Sequence, residues 1–572
     1  MGSQEVMPPT NANRIWLLPS DKAEFTVTVC RSLLAVCFAV ATTVILNETV
    51  EQPQQTRLLI YVSIVATVVL CILLGCQGPR WSLLYRILGM GPVPQLFYRQ
   101  TYVKPGYEPV AAAFAETLAE GRETGMQFCA YVNGEMVIDL VGSIVEKTSR
   151  NGYIQYDNES QLIFDSDTYS TVWSSSKVIT AIVVAWLVDQ GHLDYQAKIK
   201  DYWPEFTGGG KDDITVEQLL KHNAGLSSLP RYTLRMEDLF PENLSKGGVA
   251  EILEKMTCRF PSKETKWLSY HAMTRGWILN EIARRVDPKK RSLGVILKEE
   301  FTEKLKIDKE CYLGLPLELC DPRVNPKLRL LDPCPWFGWV ICNKLCQLLC
   351  IPTTVQWKFY LLHSAFVTYL HLHWTISTGF VNPKLLSSYK VTNDTDFRRG
   401  ESPSVNVQSS ARGLAAIANA MATQNPQIFK SGVKLVELAS QHEETRHLMP
   451  KSIPKDGILT FCKATFNDGG FCVMVPPADD DIDDNGAATR LVKTHIPSLP
   501  GFPYAWGWFG FNGSLTAFHP NGDFAVAFQP TAFNDLNPIT RVEKMTRALV
   551  QCGRRLHGNE WGYYEDNQIP KY

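Results

Sequence analysis

The stretch that decides the fold is TVWSSSKVITAIVVAWLVDQGHL, residues 171–193. Three consecutive serines, Ser174-Ser175-Ser176, run into Lys177 and then into a long apolar segment ending at Gly191. Serine caps helices because its hydroxyl accepts a bond from an open backbone N–H. A lysine at the head of an apolar helix needs another reason, since burying an ammonium is costly. With the helix starting at Ser174, the i to i+3 spacing sets Lys177 on the same face, one turn on. The helix N-terminus adds free N–H groups and the positive end of the helix dipole. A serine so placed has an amine to take its proton and amide donors for a developing oxyanion. Taken alone, this Ser-x-x-Lys spacing does not separate a nucleophile from an ordinary capped helix.

Working toward the N-terminus, residues 25–46 are apolar except for Arg31, and residues 58–75 carry no charge. Each is close to the roughly 20 residues a helix needs to cross a bilayer. A cleavable signal would have a shorter apolar core and no second span. The loop between them has no Lys or Arg before Arg57, whereas Arg14 and Lys22 precede the pair and Arg80, Arg86, Arg99 and Lys104 follow it. That asymmetry predicts both chain ends in the cytosol and the loop outside. Asn47 in the loop heads a glycosylation sequon, which fits, but Asn158, Asn243, Asn393 and Asn512 head sequons too, and these would suit a lumenal domain.

Working toward the C-terminus, one large unit is expected from residue 106 to 572. Strand-like runs flank Asn133-Gly134 and again Asn521-Gly522, the residue pair favoured in two-residue hairpin turns. ETLAEGRE near the start of the unit and ITRVEKMTRALVQCGRRL near its end have helical spacing, as does much of the middle. The expectation is an α+β domain: an antiparallel sheet flanked by helices, with a mostly helical subdomain. The predicted organisation is a tail at 1–24, a transmembrane hairpin at 25–76, a juxtamembrane linker at 77–105 and the domain at 106–572. With 57 basic and 58 acidic residues the chain has a net charge of −1, which excludes an extended basic face for nucleic acid. The 15 cysteines are scattered and read mainly as free thiols.

Three further segments carry a resemblance. Residues 187–226 resemble the stretch that follows Ser-x-x-Lys in the serine β-lactamase-related esterases, the class C β-lactamase-like hydrolases. WLSYHAMTRGWILNEIARRVDP, residues 267–288, is similar to their second motif, which a tyrosine opens, and residues 402–422 resemble a later helix of the esterase branch. The chain is thereby identified as a member of this family, with a β-lactamase/DD-peptidase-like fold. The resemblance implies that Ser174 is the acylated nucleophile, that Lys177 orients it and makes it deprotonatable, and that Tyr270 is general base and then acid for the leaving group. Such a base needs a tyrosine held well below its free value of about 10 by nearby cations. Ala272 stands where true lactamases have asparagine, a loss that matters more for β-lactams than for esters.

The third motif departs from the family pattern. Where the family expects Lys-Thr-Gly or His-x-Gly, this chain has Trp508-Phe509-Gly510. Trp508 occupies the usual cation position, Gly510 keeps the close backbone approach, and the Phe511 N–H would join that of Ser174 as an oxyanion donor. An indole cannot neutralise a substrate carboxylate, so neutral or apolar acyl groups are expected. DIDDNG at 481–486 copies the start of a calcium loop, but Val492 stands where a bidentate glutamate is required, so it reads as a solvated loop. Cys342, Cys346 and Cys350 share a helix face and read as packing or acylation sites, and His222 as structural. An aromatic-rich insertion at about 330–385 reads either as extra core or as an interfacial lid against the bilayer. No metal and no cofactor is implied. The expected partners are the bilayer and a small-molecule or lipid-like ester or amide, with no nucleic acid; the sequence leaves the oligomeric state open. Within enzymes the alternative is a peptidase. Outside them it is a membrane-tethered pseudoenzyme that binds or scaffolds.

Overall fold

The computed structural model describes most of residues 95–562; the larger internal stretches outside the description are 146–164, 260–268, 329–392, 440–464 and 475–504. The two expected spans, the apolar insertion, the loop at 481–486, Cys342, Cys346 and Cys350 therefore lie outside the described residues. Among the described residues no helix is long and apolar enough to cross a membrane.

The strands are β1 (Gln95–Val103), β2 (Gly125–Val132), β3 (Glu135–Val145), β4 (Ser170–Thr171), β5 (Cys311–Leu313), β6 (Val407–Ser409), β7 (Thr465–Phe466), β8 (Cys472–Val473), β9 (Trp506–Phe509), β10 (Leu515–Phe518) and β11 (Phe524–Pro530). Eight of them form one sheet in the order β1-β3-β2-β11-β10-β9-β8-β7, and β4-β6-β5 form a small second sheet. Both expected hairpins are present. Asn133 and Gly134 have φ of +49° and +83° between β2 and β3, and Gly522 has φ +85° between β10 and β11. Two successive positive φ values match the twist of the flanking strands, which is why Asn-Gly serves there. The sheet begins earlier than expected: β1, inside the stretch expected as a linker, pairs with β3.

Among the described residues the five longer helices are α1 (Glu108–Ala119), α2 (Ser176–Asp189), α3 (Thr274–Val286), α4 (Ala411–Ala422) and α5 (Pro538–His557). Strand alternation sorts the two faces of the sheet by size. Phe524, Val526 and Phe528 of β11, with Met126, Phe128 and Val132 of β2, join Phe114 and Leu118 of α1 and Val542, Met545 and Leu549 of α5. The alternate residues Ala525, Ala527 and Cys129 face the other way, into the larger core that holds α2, α3 and α4. The alanine-rich α4 lies against β11 and β2, and small side chains on both surfaces allow that close approach. Helix α2 is buried from Ser176 through Leu187, which accounts for a sequence apolar on every side.

Candidate active site

The turn that carries Ser174 differs from the expectation in one respect. Trp173–Ser175 form a single 3-10 turn and α2 begins only at Ser176, so Ser174 sits on an elbow ahead of the helix. Trp173 has φ +49°, a left-handed conformation that a bulky residue adopts only where its surroundings hold it. The three serines then divide. Ser174 Oγ faces Lys177 and Tyr270. Ser175 Oγ is buried 3.1 Å from both the Trp508 and Ser514 carbonyls, tying the elbow to the β9–β10 hairpin. Ser176 Oγ accepts from the Val407 N–H at 3.0 Å, tying it to β6.

Lys177 is 2 % exposed. Its Nζ lies 3.3 Å from Ser174 Oγ and donates to the carbonyls of Ala272 at 2.9 Å and Ser404 at 3.0 Å. Burial pushes the ammonium well below the usual lysine range, and the Arg275 charge pushes it further down. A neutral amine at this place would keep both carbonyl bonds and have its lone pair free for the Ser174 proton. Tyr270 Oη is 3.0 Å from Ser174 Oγ, and the lysine nitrogen stands 4.7 Å from the centre of the Tyr270 ring. Ala272, at the position of the missing asparagine, thus contributes its backbone carbonyl rather than a side chain.

Strand β9 completes the group. Trp508 Nε1–H donates to Tyr270 Oη at 3.1 Å, so the indole points toward Tyr270. Its ring packs on Phe466 and Tyr270 at 5.4 and 5.8 Å. A Cβ on Gly510 would come within 2.2 Å of Ser514 Oγ and 2.3 Å of the Val172 carbonyl, so only glycine fits where β9 meets the elbow. The Phe511 ring meets Trp173 edge-on at 5.4 Å, which sets this residue against the Ser174 turn. Asn512 is fully buried and donates to the Thr171 carbonyl at 3.2 Å, so its sequon cannot carry a glycan in the folded chain.

Buried polar residues fix this arrangement from behind. His271 Nδ1–H donates to the Ser269 carbonyl at 2.6 Å and Nε2 accepts from the Leu226 N–H at 2.9 Å, which holds one neutral tautomer. Burial takes its pKa down to about 3. The His271 N–H donates to His222 Nδ1 at 3.0 Å, giving His222 the structural place expected of it. Ser404 Oγ accepts from the Gly276 N–H at 2.9 Å, and Trp277 Nε1–H donates to Ser402 Oγ at 3.0 Å, so segment 402–404 is clamped to α3. The geometry therefore brings Ser174, Lys177, Tyr270 and Trp508 together with Gly510 and Phe511 beside them. A serine oxygen within hydrogen-bond reach of both an amine and a phenol can pass its proton to either as it attacks a carbonyl carbon. Sequence reasoning missed Ser175, Ser176, Ser404 and Arg275. Only the serine triplet gave any signal of this.

The comparisons bear on the family and the fold. Over 212 residues the chain is 30% identical to Esterase/beta-lactamase LipL of Mycobacterium tuberculosis, an alignment covering 37% of this chain and 44% of that protein, so less than half of that relative's length is spanned. A family VIII carboxylesterase structure superposes with a TM-score of 0.54 at 23% identity, covering 80% of this chain and 100% of the other. EstA from Arthrobacter nitroguajacolicus Rue61a superposes with a TM-score of 0.54 at 20% identity, covering 80% of this chain and 99% of its own, which supports the fold alone. The beta-lactamase family matches residues 110–551, nearly the whole folded unit, and the chain belongs to that family.

Proposed function

We propose that this chain is an esterase for neutral, apolar acyl groups, working through an acyl-enzyme on Ser174. The observation that carries the reading is the contact set at Ser174 Oγ, with Lys177 Nζ at 3.3 Å and Tyr270 Oη at 3.0 Å. Ser174 Oγ attacks the ester carbonyl carbon while its proton passes to the Lys177–Tyr270 pair. The carbonyl oxygen takes the negative charge and is met by the N–H groups of Ser174 and Phe511. Tyr270 returns the proton to the departing alkoxide, and water then attacks the acyl carbon by the same steps in reverse. The acyl preference follows from Trp508: its one N–H is directed at Tyr270, and it brings no charge to pair with a carboxylate.

The test is to label the full-length protein with a fluorophosphonate and identify the modified peptide, alongside turnover of a neutral aryl ester and of a carboxylated penicillin. Modification at Ser174 and preference for the ester are expected. An unlabelled Ser174 in folded protein would leave the scaffold reading in its place. The same proposal has residues 25–46 and 58–75 anchor the enzyme in a bilayer with the domain on the cytosolic side. Resistance to alkaline carbonate extraction, lost on deleting residues 1–76, tests the anchor. A glycan on Asn158, Asn243 or Asn393 would reverse the orientation.

A further inference from the structure

Helix α3 opens with a cation that the site as described does not use. Arg275 is 1 % exposed. Its Nη2–H donates to the Gly470 carbonyl at 3.2 Å, while Nε and Nη1 are buried with no hydrogen-bond partner among the described residues. By contrast, Arg291, also buried, pairs with Asp287 at 2.8 Å, and the part-buried Arg412 pairs with Glu310 at 2.6 Å. None of the ion pairs among the described residues includes Arg275, so its charge is not cancelled locally, an arrangement that ordinarily costs stability.

The position is built rather than incidental. Gly470 has φ +79°, and a Cβ there would stand 2.5 Å from Arg275 Nη2 and 2.8 Å from Leu220 Cβ. Asp468, in the same loop, is directed elsewhere: its two oxygens take Lys221 at 2.7 Å and Gln196 at 3.0 Å, and Lys221 also pairs with Glu217. The titratable groups that feel Arg275 are Lys177, Tyr270, His222 and His271. Arg259 also acts on His271, in the same sense, and bonds Ser227 Oγ at 3.1 Å. Burial holds both histidines neutral, with the field of Arg275 acting in the same sense.

This leaves the proton of the Lys177–Tyr270 pair. Ammonium with phenol carries one positive charge, whereas amine with phenol, or ammonium with phenolate, carries none. A neighbouring cation favours loss of that proton whichever atom releases it, because the pair titrates as a unit. We propose that Arg275 is a positioning residue for that proton: its uncancelled charge drives the Lys177–Tyr270 pair to the form that accepts a proton from Ser174. The inference rests on the roles proposed above for Ser174, Lys177 and Tyr270. It assigns to α3 the positive charge that Trp508 withholds from β9.

The test is a pair of pH profiles on full-length protein: the rate of Ser174 modification by a neutral fluorophosphonate, and kcat/KM for a neutral aryl ester. Wild type is compared with Arg275→Met, which removes the charge, and Arg275→Lys, which keeps it. In Arg275→Met the acid limb should move up by about one pH unit, a roughly tenfold loss of rate on that limb, with a smaller loss at the alkaline plateau. Arg275→Lys should restore the limb. If the Arg275→Met limb coincides with wild type, or if Arg275→Lys is displaced as far as Arg275→Met, the inference is overturned. If Arg275→Met does not fold by circular dichroism, Arg275→Lys decides: a wild-type limb supports the inference and a displaced limb overturns it. Absence of labelling at wild-type Ser174 at every pH would sink the hydrolase reading and this inference with it. A labelled Ser174 with an unmoved limb sinks this inference alone.

Discussion

Replacing Trp508 by phenylalanine isolates one hydrogen bond. The substitution deletes the Nε1–H that reaches Tyr270 Oη at 3.1 Å, and leaves an aromatic ring to pack on Phe466 and Tyr270. A hydrogen bond to a charged oxygen contributes about 1.5–3 kcal/mol. If Tyr270 carries developing negative charge as it takes the Ser174 proton, that stabilisation is lost from the transition state. At 1.36 kcal/mol per factor of ten, kcat/KM for a neutral ester should fall about 10- to 150-fold. The acid limb of the pH profile should also rise by about one to two units, since the same bond favours the deprotonated pair. The smaller ring leaves a cavity whose cost of roughly 1 kcal/mol falls on stability, and a urea melt measures that part separately. The assay is ester hydrolysis across pH with active sites counted by fluorophosphonate. A variant that folds, labels, and stays within threefold of wild type at every pH would refute the role given to the indole. So would a wild-type enzyme that hydrolyses a carboxylated β-lactam faster than a neutral ester of similar size.

The serine triplet should separate by phenotype: Ser174→Ala abolishes labelling with little change in the urea midpoint. Ser176→Ala leaves the Val407 N–H unpaired and costs about 1–3 kcal/mol in a urea melt, with labelling retained in the folded fraction. Gly510→Ala should lose labelling more than stability, because a methyl at 2.3 Å from the Val172 carbonyl pushes the elbow away from β9; unaltered labelling kinetics would count against that contact. Glu401, buried beneath Ser292, Asn280 and the Gly294 N–H, is raised by burial from 4.5 to about 7. The folded state then holds this proton more tightly than the unfolded one. Its contribution is full below about pH 4.5 and is lost as pH rises toward 7. Glu401→Gln should therefore gain on wild type by about 1–3 kcal/mol in unfolding free energy between about pH 5 and 7, and parallel stability profiles would refute this.

Local chemistry made the sheet legible where a single residue pair decides the backbone. Asn133, Gly134 and Gly522 mark their turns because few other residues take the positive φ found there. The C-terminal helix was legible from periodicity, whereas the expected helix at 116–123 meets only the last turn of α1. The small second sheet was not: β4, β5 and β6 contribute two or three residues each, from segments far apart in sequence, and strands that short leave no pattern. Strand β1 was missed for another reason. Its Arg99 and the following Lys104 served the charge argument for the spans, while the strand itself shows only through its pairing with β3.

In the site, what was legible was what side chains carry alone. Ser174 and Lys177 drew attention by their spacing, and Tyr270 only through the resemblance of residues 267–288 to the family's second motif. The groups that hold them were not legible, because they act through atoms every residue has. Any residue could supply the carbonyls of Ala272 and Ser404 that flank Lys177 Nζ. Ser175 and Ser176 look the same in sequence as Ser174. Only the elbow at Trp173 turns Ser174 toward the lysine, Ser175 toward β9 and Ser176 toward β6. Arg275 is the extreme case. In sequence it is one basic residue in a helix that also carries Arg284 and Arg285, and those two pair with Glu281 within 3 Å. What distinguishes Arg275 is the lack of such a partner among the described residues, and burial beside Lys177 and Tyr270 turns that lack into a field at the site. Composition and spacing register the charges a chain has; the charge that acts on a buried proton is the one the fold leaves without a partner.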